Sequence, residues 1–299
     1  MPSREIQWFP GHMAKTRRMI SENLKHVDVV IEILDARIPY SSRNPEIVSL
    51  IGDKPSLILL NKASLADPVQ TAEWSSIYSS EHSVCITTDC IRGEGLSRIP
   101  PALRSLCAET LEKYERKGMT GRVLRAMVLG IPNVGKSSLI NKLCGNKKAK
   151  VENRPGVTLD KQWVSTNLGF DLLDMPGILW PKFNEKRVGE NLAITGAIRD
   201  TILDEEQIAL ALCKRLRRYY PSLLAARYNV GSVDEISALD DFELLEAIGR
   251  KRGHLISGGE IDSERTAKML LDEFRSGKIG RITLDYINRD SSQEPKNNG

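Results

Sequence analysis

The segment Gly130-Ile131-Pro132-Asn133-Val134-Gly135-Lys136-Ser137 places two glycines, a lysine and a hydroxyl at the spacing that wraps a phosphate chain. The glycines let backbone N–H groups turn toward an anion at the start of the next helix. Val134 to Ser138 form the expected cradle, with Gly135, Lys136 and Ser137 at its centre. Lys136 neutralises the β- and γ-phosphates, and Ser137 offers its hydroxyl to Mg²⁺. Asp174, in Asp174-Met175-Pro176-Gly177, is placed to hold the same ion, usually through water. The Gly177 N–H can sense the terminal phosphate. Thr158, in Arg154-Pro155-Gly156-Val157-Thr158, lies between the two motifs, where its hydroxyl completes the Mg²⁺ shell only while that phosphate is present. The bland alternative is a glycine-rich turn with no ligand.

A base-reading element is also present. In Asn61-Lys62-Ala63-Ser64, Asn61 is expected on the purine edge and the Lys62 stem over the ring. Guanine recognition calls for an aspartate two residues after the lysine, and Ser64 stands there. A charged hydrogen bond contributes roughly 1.5–3 kcal/mol, so a neutral acceptor should weaken both affinity and discrimination against adenine. Asp67 is three residues too late to reach. Asp89-Cys90, before Gly93-Glu94-Gly95, should supply a second base contact through backbone N–H groups. This guanine-reading element ordinarily follows the phosphate loop and here precedes it. A circularly permuted domain explains all the motifs together.

Short apolar runs are expected to position these residues as strands: Val29 to Leu34, Leu57 to Leu60, Ser83 to Thr88, Met127 to Leu129, Gln162 to Thr166 and Phe170 to Leu173. Residues 10–25 read as a basic amphipathic helix ahead of the first strand, and helical patterns lie between most of the strands, notably Pro101 to Lys117 and Lys136 to Cys144. Alternation of this kind implies an α/β fold with a mainly parallel sheet covered on both faces. The motifs sit at the C-terminal ends of strands, where such sheets bind ligands. After Trp180 the pattern becomes helical only: Val188 to Arg199, Glu205 to Tyr220, Phe242 to Arg250 and Glu264 to Phe274. The expected organisation is a basic N-terminal segment over 1–25, a circularly permuted P-loop domain over 26–186, a smaller all-helical C-terminal domain over 187–286, and a disordered polar tail over 287–299.

Hydrophobic content of 40% supports a core, and an aromatic content of 5% makes it mostly aliphatic. No apolar run approaches the roughly 18 residues of a membrane span. The charged start, Met1 to Gln7, lacks an apolar export signal. Cys85, Cys90, Cys107, Cys144 and Cys213 form no paired motif, which argues against zinc or a disulfide framework and suits a reducing cytoplasm. Residues 1–186 carry 26 Lys and Arg against 20 Asp and Glu, and residues 187–299 carry 17 against 19, so basic character is local rather than global. The clusters are Lys15, Arg17 and Arg18; Lys147, Lys148, Lys150 and Arg154; Lys214, Arg215, Arg217 and Arg218; and Arg250, Lys251 and Arg252. They suit a phosphate backbone or serve as solvated helix faces.

Taken with Trp8-Phe9-Pro10-Gly11-His12-Met13, Asp35-Ala36-Arg37-Ile38-Pro39 and Asp174-Met175-Pro176-Gly177-Ile178-Leu179-Trp180-Pro181-Lys182, these motifs resemble the ribosome biogenesis GTPase A (YlqF) family of circularly permuted GTPases across nearly the whole chain. The resemblance implies binding of GTP and GDP with Mg²⁺, and GTP hydrolysis in a late step of large ribosomal subunit assembly. The implied partners are the subunit precursor, its rRNA and its ribosomal proteins. A cytoplasmic monomer is the expected form.

Many GTPases place Gln after the Asp-x-x-Gly glycine to orient water. Ile178 cannot do this, so unaided hydrolysis should be slow. The resemblance suggests His12 as the group that positions or activates water; the alternative is a structural or RNA-contacting residue. Asn133 resembles the K⁺ ligand of potassium-dependent GTPases, where an extra cation would stabilise transition-state charge. Two other readings stay open: a P-loop ATPase or kinase with relaxed base choice, and a nucleotide-binding scaffold with little turnover.

Overall fold

A computed structural model describes residues 10–119, 121–145, 162–180, 183, 185–198 and 204–287, with side chains from residue 15 onward. Thr158, the basic cluster from Lys147 to Arg154, and the side chain of His12 lie outside the described residues.

Six strands form one sheet: β1 (Val29–Asp35), β2 (Ser56–Asn61), β3 (Ser83–Thr87), β4 (Leu124–Gly130), β5 (Gln162–Ser165) and β6 (Phe170–Asp174). Their order is β3-β2-β1-β4-β6-β5, parallel throughout except for the β5–β6 pair. Continuous apolar strands form because both faces are covered. Val29, Ile31 and Ile33 face one core, while Val30 and Leu34 point the other way. Parallel pairing sets Asp35 opposite Asn61, Ile33 opposite Gly130 and Val128 opposite Asp174. Every chemically equipped strand end therefore reaches the same edge of the sheet.

The expected long helix over Pro101 to Lys117 is two helices, Ile99–Leu106 and Ala108–Arg116, broken at Cys107, whose backbone leaves helical geometry at φ −105° and ψ 16°. Helices Pro45–Ile51 and Pro68–Tyr78 lie between the first three strands, and Pro221–Tyr228 and Val233–Ala238 add to the C-terminal part. Helices Lys186–Ile194, Glu205–Tyr219, Asp241–Arg252 and Ser263–Arg275 occupy the region read as helical. The apolar core continues from the sheet through Leu179 and Trp180 into those helices, so the change of element type near residue 186 is not a break in packing.

The end of the described chain returns to the sheet edge. Leu284 N–H donates to the Arg37 carbonyl at 2.7 Å, and Ile282 N–H donates to the Leu65 carbonyl at 2.9 Å. Arg281 donates to the carbonyls of Ala66 and Ala63. Asp285 accepts from the Ser41 N–H, the Ser41 hydroxyl and the Asn191 amide at 2.7–2.8 Å.

Candidate nucleotide site

The loop after β4 turns directly into helix Lys136–Cys144. Gly135 allows the turn: its φ is 110°, and a Cβ there would run into the Asn61 side-chain amide. Lys136 is buried and donates to the carbonyls of Gly130 at 3.0 Å and Ile131 at 2.8 Å. Gly177 comes equally close, since a Cβ on it would lie 2.9 Å from Lys136 Nζ and from Pro132 N. The structure thus brings together the phosphate lysine and the two loops expected to flank a terminal phosphate.

Burial pushes the Lys136 ammonium down and the Asp174 carboxyl up, and the opposite charge of each partly restrains the other. Among the described residues, Asp174 Oδ1 is buried with no hydrogen-bond partner. Such an oxygen is costly unless a ligand satisfies it. A hard cation with carboxylate and hydroxyl ligands fits, which is the chemistry of Mg²⁺. Ser137 lies in the first turn of the adjoining helix.

On the base side, Asn61 is buried and occupied. Its Nδ2 donates to the Val134 carbonyl at 2.7 Å, and its Oδ1 accepts the Cys90 N–H at 3.0 Å. The motif reading put Asn61 on the purine edge; in the structure its amide ties the phosphate loop to the Asp89–Cys90 loop. The backbone N–H groups expected to contact the base are likewise engaged within the protein. The Cys90 N–H is spent on Asn61, and the Asp89 N–H on the Glu94 carbonyl at 3.0 Å. Ser64 donates to Asp89 Oδ2. Asp67 caps helix Pro68–Tyr78, which removes it from the base site.

Lys62 sits in left-handed backbone and aims Nζ at Asp35 Oδ2 and at the Asn133 carbonyl, both at 2.9 Å. Burial pushes its ammonium down, and Asp35 opposes that shift. Asp35 is itself buried. Burial raises its carboxyl, but Arg37 and Lys62 outweigh that and hold it well below the usual carboxylate range. Arg37, 2% exposed, grips Asp35 at 2.8 and 3.0 Å and stacks over the Phe274 ring at 5.3 Å. The motif reading gave Asp35 and Arg37 no role beyond family resemblance, although two opposite charges two residues apart at a buried strand end were the available signal. Asn133 Nδ2 donates to the Gly196 carbonyl at 2.8 Å, joining the phosphate loop to the helical part. No sequence pattern indicated that contact.

Ile178 is 6% exposed and packs with Met175, Ile20 and Leu24. The residue that replaces a water-orienting glutamine is therefore a core residue, in the same apolar cluster as Ile20 and Leu24 of the helix whose first turn carries His12. Among the basic clusters, Arg215 is corrected: it is buried and paired with Glu190 at 2.7 Å. Arg217 is likewise engaged, with Asp241 at 3.0 Å. Lys214, Arg218, Arg250 and Lys251 are exposed.

A family model described as a 50S ribosome-binding GTPase matches residues 125–219, from β4 through the phosphate loop into the helices. The chain is 46% identical over 280 residues to the ribosome biogenesis GTPase A of Bacillus cereus, covering 94% of this chain and 93% of that protein. It is 35% identical over 297 residues to the mouse mitochondrial ribosome-associated GTPase 1, covering 93% and 90%. The crystal structure of GNP-bound YlqF from T. maritima superposes with a TM-score of 0.60 at 27% identity, covering 90% of this chain and 97% of that one. Relatives this similar over nearly their full length, with the phosphate loop, Asp174 and Gly177 assembled at one sheet edge, show that the chain belongs to the ribosome biogenesis GTPase A family and is a GTP hydrolase.

Proposed function

We propose that this chain binds a precursor of the large ribosomal subunit, through rRNA and ribosomal proteins, and couples GTP binding and hydrolysis to a late step of its assembly in the cytoplasm, acting as a monomer. The observation that carries the coupling is the hydrogen bond from Asn133 in the phosphate loop to Gly196, just after the first helix of the C-terminal part. A rearrangement of the phosphate loop would thereby be felt between the first two of those helices. Gly177 provides a second link, because the chain runs from it through Leu179 and Trp180 into the same core. Order–disorder switching of such loops is a known way to move a partner-binding module.

Val134 to Ser138 cradle the phosphates, and Lys136 exchanges its two carbonyl partners for phosphate oxygens. Ser137, Asp174 and Thr158 would hold Mg²⁺, which when bound shields the phosphate charge. Asn133 has its Nδ2 engaged by Gly196, so its side-chain oxygen, Oδ1, is the atom that would face K⁺. Ile178 cannot activate water from inside the core. His12, carried by the helix whose Ile20 and Leu24 share an apolar cluster with Ile178, is the candidate to position water, with turnover slow until the ribosomal partner completes the site. Relatives named as GTPases, and the matching GTPase family model, argue against the ATPase reading.

Exposed Lys214, Arg218, Arg250 and Lys251 are the proposed rRNA contacts. Co-sedimentation with large subunits tests this. Binding in the presence of a non-hydrolysable GTP analogue should exceed binding with GDP and should fall steeply with salt. Arg250→Glu combined with Lys251→Glu should weaken it. Equal sedimentation of this variant and the parent would refute the assignment.

A further inference from the structure

Guanine presents two donors, N1–H and the N2 amine, along the edge that a base-reading motif faces. Adenine presents the N1 lone pair there and has no N2 amine. A carboxylate discriminates because, when ionised, it only accepts. A serine hydroxyl both donates and accepts, so Ser64 alone would suit either base. The other groups expected to read the base, the Asn61 amide and the Cys90 N–H, are bonded to each other.

Ser64 is not alone. Its hydroxyl donates to Asp89 Oδ2. The other oxygen, Oδ1, accepts the N–H groups of Ile91 at 3.0 Å and Arg92 at 2.9 Å, so the turn itself orients the carboxylate. Asp89 is 5% exposed and Ser64 is half-buried, so Ser64 is the more accessible member of the pair. Burial raises the Asp89 carboxyl, but the Ser64 hydroxyl and the two N–H groups outweigh it and hold it below its ordinary value.

We propose that Asp89 is a positioning residue for base choice: by accepting the hydrogen bond of the Ser64 hydroxyl it leaves the Ser64 oxygen with only lone pairs toward the purine, so the pair accepts from guanine and repels adenine N1. Asp89 and Ser64 together thus replace the aspartate expected at position 64. The inference rests on the GTPase reading of the site and adds how that site selects its base.

The test is the affinity of the full chain for GDP, inosine diphosphate and ADP. Asp89→Asn can keep the oxygen that orders the turn, while its amide donates to Ser64 and turns the hydroxyl proton outward. The GDP-over-ADP preference should fall about 10- to 100-fold, the worth of a charge-assisted hydrogen bond. Ser64→Ala should lower it similarly, and the double variant should fall no further because the pair acts as a unit. Exchanging the pair, as Ser64→Asp with Asp89→Ser, should restore it. Inosine lacks the N2 amine, so the gap between GDP and inosine diphosphate should also shrink in Asp89→Asn. An unchanged GDP-to-ADP ratio in both single variants would overturn the relay and leave the GTPase assignment standing. A parent chain that binds ADP as tightly as GDP would overturn the relay together with the guanine site.

Discussion

At the scale of single residues, the base side of the site depends on a buried cluster of paired charges. Arg37 and Lys62 share Asp35, and Asp35 is the residue whose loss would strand both. Removing one member of a buried ion pair typically costs about 3–5 kcal/mol. Asp35→Asn should therefore lower the urea-unfolding free energy by about that amount at pH 7. The folded pKa is depressed, so by linkage this stabilisation is present above the unfolded value and lost as pH falls through the folded one. It should persist from neutral pH down to about the ordinary value of 3.8 and decline only below it. Lys136→Ala removes the cation aimed at the phosphates, and turnover should fall about 10²- to 10³-fold, as for loss of one transition-state donor. Steady-state GTP hydrolysis reads this directly; a variant within twofold of the parent would exclude Lys136 from the chemistry.

At the scale of elements, Gly177 and the phosphate loop work as one contact. An added Cβ at Gly177 would press on Pro132 backbone as well as on the flexible Lys136 tip, so relief has to come from the loop. Gly177→Ala should cost about 1–3 kcal/mol by overpacking and should impair a GTP analogue more than GDP, measured by thermal unfolding and by nucleotide titration. How much of this was legible in the sequence follows from the same elements. The strands were readable because two-sided burial leaves unbroken apolar runs that end at functional residues. Helices Pro45–Ile51 and Pro68–Tyr78 were passed over although Asn44 and Asp67 cap them and proline opens each, a start signal present in the sequence. The break at Cys107 was hidden because apolar spacing continues across it. The phosphate loop, Asp174 and Gly177 could be placed from motif spacing. The inward turn of Asn61 and Cys90, the Ser64–Asp89 pair and the Asn133–Gly196 bond could not, because each joins segments brought together only by the fold.

At the scale of the whole molecule, the permutation leaves the loop over residues 130–137 and the segment after Asp174 next to the helical part, and the end of the described chain closes back over the loop at residues 63–66. Asp285 ties that return to Ser41 and Asn191. Asp285→Ala should loosen it, seen as faster amide exchange over residues 279–287 with the sheet still protected. Asn133→Ala removes the bond to Gly196. If that bond carries coupling, it should reduce the response of hydrolysis to a ribosomal partner by about 5- to 150-fold, the usual range of an allosteric coupling. The most direct test of the account is GTP hydrolysis by the full chain in KCl, with and without large ribosomal subunits, with ATP as competitor. The account predicts slow turnover alone, strong stimulation by the subunits and no effect of ATP. Turnover unmoved by the subunits, or displaced equally by ATP, would contradict it.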